Sequence, residues 1–149
     1  MRVMWADVLL SLERTHLQLL TLWGVGSVVA GSGVLAWLAW RRVRSPLLQH
    51  FAIQTLAWGA VDLAICAWAQ RGLALRDFEG QTSLVNFLWL NVGLDVGYIG
   101  VGLTLALAAW RLGPRLGGVG AGIGVIVQGL ALALLDLRLI AEIAAARSA

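Results

Sequence analysis

Asn91, Asp95, Tyr98 and Gly102 recur at helical spacing, so a helix gathers an amide, a carboxylate and a phenol into one stripe. These groups donate, accept or carry a proton, and together they could hold an ion, a proton or a small ligand. The stripe lies in a run from Leu84 to Trp110 that is otherwise mostly apolar. A carboxylate near a bilayer centre costs about 2.5–3.5 kcal/mol on insertion scales, so Asp95 should face protein or water. Gln54, Trp58 and Asp62 repeat the pattern at four-residue steps in another apolar run, and Gln128 stands alone in a third.

The elements that must position these groups follow from composition and hydropathy. The chain has 149 residues, 60% of them hydrophobic and only 13% charged. Its mean hydropathy is +0.83, and about half apolar is usual for a soluble domain. An all-α fold is expected: a four-transmembrane-helix bundle forming one integral membrane domain over residues 1–149. The spans are placed at about 17–40, 47–70, 84–110 and 116–140, each long enough for the roughly 20 residues a bilayer core requires. Ahead of them, Met1, Trp5, Val8, Leu9 and Leu12 share a face, which predicts a short N-terminal amphipathic helix at the interface or extending the first span. Ser83 is the expected N-cap of the third span.

The fourth span is rich in glycine. In water Gly118, Gly120, Gly122 and Gly124 would argue against a helix, but in lipid their small-xxx-small spacing reads as close helix packing. Gly93 and Gly97 lie opposite the Asp95 stripe, so the third helix carries a polar face and a second face on which another helix could press.

At about 1.5 Å per residue, Asp62 and Asp95 each lie roughly 10–17 Å below the surface at the second loop. Asn91, Gln128, Trp23 and Ser27 fall near the same level, so all four helices bring unusual residues to one layer. Such a layer could bind a ligand, or it could be a hydrogen-bonded network that only holds the bundle in register, at about 0.6 kcal/mol per interaction. Asp136 sits nearer a span end, with Arg138, Arg14 or Arg71 as expected partners. His16 and His50 sit at span ends with no acidic or thiol partner in view, which argues against metal or porphyrin ligation. Cys66 reads as a small buried hydrophobe.

Other classes are excluded by what the chain lacks. Every basic residue is Arg, so neither a phosphate-loop lysine nor Schiff-base chemistry is available. The formal charge of +3 comes without the basic face of a nucleic-acid binder. No zinc spacing or nucleophile elbow occurs, no cofactor is implied, and a membrane enzyme is the lesser option. The turns after the first and third spans hold Arg41, Arg42, Arg44, Arg111 and Arg115 and no acid. That cluster places them in the cytoplasm and both termini outside.

Asn91-x-Gly93-Leu94-Asp95-Val96-x-Tyr98, followed by Gln128-Gly129 and Leu134-Leu135-Asp136, resembles an uncharacterised family of small bacterial four-helix membrane proteins. The Trp58-x-x-Val61-Asp62-Leu63 run is similar to that family too, with Asp62 at a position where Asn also stands. The resemblance covers the chain from about the first span onward. It implies an architecture and a set of focal residues and brings no assigned activity; a bacterial inner membrane is the expected setting.

Two functions stay open. In one, Asp62 and Asp95, oriented by Asn91, Tyr98 and Gln128, handle a small ligand, ion or proton. In the other, the chain is a non-catalytic subunit whose glycine faces dock on a second copy or on other membrane helices, with the lipid bilayer as the remaining partner.

Overall fold

The computed structural model describes residues 5–148, so Met1, assigned above to the N-terminal apolar face, lies outside the described residues. The described chain is all-helical: α1 (Trp5–Arg41), α2 (Pro46–Arg71), α3 (Phe78–Arg111) and α4 (Leu116–Ser148). All four helices are long and apolar enough to cross a membrane.

The amphipathic N-terminal stretch takes the second of its two expected forms and extends the first span, α1 running unbroken for 37 residues, a length of about 55 Å. Its first turns are held by packing, with Leu9 buried against Leu88, Leu139 and Ile143. Trp5 Nε1 also donates to Gln81 Oε1 of α3 at 2.9 Å. Ser83 is not the cap of α3. The helix starts six residues earlier, at Phe78, because the Asp77 side chain accepts from the Gly80 N–H at 2.8 Å, satisfying a donor that the first turn leaves free. Ser45 caps α2, with Pro46 in its first turn. Between α3 and α4 the chain turns at Gly113, whose φ of 106° suits glycine.

Packing is uneven around the bundle. α4 packs on all three other helices, and α1 packs on α2, but no comparable backbone packing joins α2 to α3 among the described residues. Glycine explains where the helices close up. A Cβ on Gly59 would lie 2.7 Å from Cβ of Ser27 on α1, and one on Gly124 would lie 2.8 Å from Cβ of Gln54 on α2. A Cβ on Gly120 would collide with the Leu47 carbonyl, and one on Gly122 with the Gly102 carbonyl. The α4 contacts lie toward the turns at 42–45 and 112–115, while Gly59 meets Ser27 midway along α2. Toward the loop at 72–77, α4 instead carries Leu132, Asp136 and Leu139, and α2 and α3 stand apart. The glycine gradient along α4 therefore makes the bundle tight at one end and split at the other.

Candidate functional site

The split between α2 and α3 is a cleft of about 780 Å³, backed by α1 and α4. Its closed end is sealed by Trp58 of α2 and Tyr98 of α3, edge to face with centroids 5.1 Å apart. One turn below each aromatic ring sits a carboxylate, Asp62 on α2 and Asp95 on α3, and both line the cleft. Local packing fixes their positions. Gly59, one turn before Asp62, draws α2 onto α1. Gly129 gives the Asp95 backbone room, since a Cβ there would lie 2.9 Å from the Asp95 carbonyl oxygen.

Asp62 is 2% exposed and Asp95 4%. The Oδ2 atom of each is buried without a hydrogen-bond partner. Most buried polar atoms in folded proteins are paired, and an unpaired one costs about 1–3 kcal/mol or more when charged. Two such atoms at the end of one cleft leave acceptor capacity that a donor, a cation or a proton would satisfy.

Further from the seal the two other acidic groups, Asp136 and Glu13, are already matched. His16 Nε2 lies 3.3 Å from Asp136 Oδ1. Glu13 is buried and receives both Nε and Nη2 of Arg76, the latter at 3.2 Å from Oε2. The fork ties the loop at 72–77 to α1 and narrows the cleft at its loop end. Two expectations are thereby corrected. His16 is not isolated from acidic partners, and Asp136 pairs with His16 rather than with an arginine. Arg138 is taken up by Glu142, one turn along, at 2.8 Å.

The cleft brings together Asp62, Asp95, Asn91 and Tyr98. Gln128 is apart from them. It is buried on the α1 side of α4, accepting from Trp23 Nε1 at 2.7 Å and donating to Ser27 Oγ at 3.1 Å. The single polar layer expected from depth is thus two clusters, one satisfied and one not. Gly118, Gly120, Gly122 and Gly124 face neighbouring helices, whereas Gly93 and Gly97 meet nothing within 4 Å of a Cβ position. Glu13, His16 and Arg76 escaped sequence reasoning because charges at span ends read as solvated. The available signal was the run Leu9, Glu13, His16 and Leu20, which shares one face of α1.

The rim of the cleft is apolar and open. Val61, Ile65 and Trp68 on α2, with Phe87 and Leu94 on α3, are exposed on the outer surface of the bundle. The opening is therefore sideways between two helices, with the carboxylates at the back. Among the described residues, no three His, Cys, Asp or Glu side chains converge closely enough to hold a metal ion.

Among curated proteins and among solved structures, none matches the chain. A family profile matches residues 19–137, which takes in the cleft carboxylates, the Trp58–Tyr98 seal and the Gln128 cluster. The chain belongs to that family, the Family of unknown function (DUF6992).

Proposed function

We propose that this chain is one integral domain of a bacterial inner membrane that binds a small ligand within the bilayer, in the cleft between α2 and α3. The observation that carries this reading is the pair of buried, unpartnered carboxylate oxygens at the closed end of a cleft of about 780 Å³. Ligand sites commonly have this form, with roughly 300–1,000 Å³ of apolar wall and a few placed polar groups. A proton or bare ion would need far less space. Asp62 and Asp95 are the principal binding groups, while Asn91 and Tyr98 bound the site beside them. The arginine-rich turns at 42–45 and 112–115 would face the cytoplasm, with both termini outside.

A second reading, that of an accessory subunit, is favoured by one observation. Gly93, Gly97 and Gly100 present a bare strip on α3, which is the kind of surface on which a second helix packs closely.

Native mass spectrometry of the full chain released from lipid nanodiscs separates the two. The ligand reading expects a retained small molecule that is lost from the Asp62→Asn/Asp95→Asn double variant while the fold persists. Retention that ignores both substitutions would sink it. A stoichiometric protein partner that leaves on Gly93→Leu/Gly97→Leu substitution would support the accessory reading instead.

A further inference from the structure

We infer that the cleft between α2 and α3 takes an amphipathic organic cation, with a protonated amine against Asp62 and Asp95 and an apolar body leaving sideways between the helices. This inference rests on the ligand reading above and specifies the chemistry of that same site.

The charge distribution along the cleft carries it. At the closed end Asp62 and Asp95 offer acceptors, and no arginine lines the cleft there. The basic residues that line the cleft, Arg71, Arg76 and His16, lie toward the loop at 72–77. Arg76 is committed to Glu13 and His16 to Asp136. An anionic head group at the closed end would therefore meet two carboxylates with nothing to neutralise it. A ketone or ether would add acceptors where donors are lacking. A primary ammonium brings three donors and one positive charge, which match the two orphaned oxygens.

Two further features distinguish this ligand from a bare cation. Among the described residues no three His, Cys, Asp or Glu side chains converge, so the two carboxylates fall short of the three or four protein ligands a zinc-type site uses. The rings of Trp58 and Tyr98 stand one turn from the carboxylates, and aromatic rings attract organic cations. The body of the ligand is set by the opening. Ile65, Trp68, Phe87 and Leu94 form an exposed apolar rim on which a hydrocarbon portion can lie in continuity with lipid. Entry from the membrane, rather than from water, follows from that geometry.

The test uses the full chain in lipid nanodiscs and three probes of equal chain length, n-octylamine, n-octanol and octanoate. Equilibrium dialysis against protein-loaded and empty nanodiscs separates saturable binding from partitioning. Octylamine is expected to bind saturably, with octanol and octanoate about tenfold weaker or worse, the size of one lost charge-assisted hydrogen bond. Asp62→Asn and Asp95→Asn should each weaken octylamine by about tenfold or more. Val61→Trp, at the exposed mouth of the cleft, should abolish binding. Octanol or octanoate binding as tightly as octylamine, with Val61→Trp still blocking, would overturn the cation assignment and leave the ligand reading standing. No saturable binding of any probe to the folded chain would overturn both. The probe comparison on the unaltered chain does not depend on how the Asp variants fold.

Discussion

His16 Nε2 on α1 lies 3.3 Å from Asp136 Oδ1 on α4, joining the first and last helices beneath the cleft. Both side chains are mostly buried, so removing either leaves its partner unsatisfied. His16→Ala and Asp136→Ala should each cost about 1–3 kcal/mol. The double variant should cost less than their sum, by about 0.5–3 kcal/mol of coupling. Reversible unfolding in mixed micelles measures all three, and strict additivity would show that the pair does not interact.

The Gln128 cluster has a different character, because its amide already accepts from Trp23 and donates to Ser27. Gln128→Leu should therefore act on stability alone, at about 0.6 kcal/mol for each of the two lost bonds. Octylamine binding should be unchanged, since Gln128 does not line the cleft. Unfolding and dialysis on the same preparation check both halves. A variant of normal stability that no longer binds would return Gln128 to the site.

Glycine on the two faces should respond in opposite senses. A Cβ at Gly120 would run into the Leu47 backbone carbonyl, which cannot rotate away as a side chain could. Gly120→Ala should cost about 1–3 kcal/mol. Gly93 has open space around it, so Gly93→Ala should be neutral or stabilise by up to about 1 kcal/mol, the helix preference of alanine. Thermal denaturation of the purified chain makes the comparison, and equal destabilisation at both positions would contradict the packing described.

Arg76 is the loop's anchor to Glu13, whose carboxylate is buried while the guanidinium is about one-third exposed. Arg76→Met should cost about 1–3 kcal/mol, between the values for surface and fully buried pairs. Replacing both as Glu13→Met/Arg76→Met should recover most of that loss, because no buried charge is then left alone. Denaturation midpoints of the three variants decide it. A double variant no better than Arg76→Met would mean that the fork contributes something other than charge matching.

Four long apolar helices and the stripe holding Asn91, Asp95 and Tyr98 were legible in the sequence, because both are statements of local periodicity. The cleft was not. It arises from long-range packing, in which Gly120 and Gly124 let α2 close on α4 at one end while Leu132 and Leu139 occupy the other. Depth placed Gln128 beside Asp95, but depth carries no information about which way a helix is rotated, and α4 turns Gln128 toward α1. Glu13 and His16 were hidden for a related reason. Charges at the end of a hydrophobic run are usually solvated, and only the continuation of α1 past the expected span buries them. The start of α3 at Phe78 turned on Asp77, a cap residue as good as Ser83 and nearer the loop.

A single distance decides whether an amine sits between Asp62 and Asp95. Full-length chain with carbon-13 in its Asp side-chain carboxyls, bound to nitrogen-15 octylamine in lipid, can be examined by dipolar recoupling in solid-state NMR. The cleft account predicts an amine nitrogen about 3–4 Å from the carboxyl carbons of Asp62 and Asp95, the separation of a charge-assisted hydrogen bond. The signal of each should vanish in its own Asn variant. Saturably bound octylamine with no dephasing at either carboxyl would contradict the account.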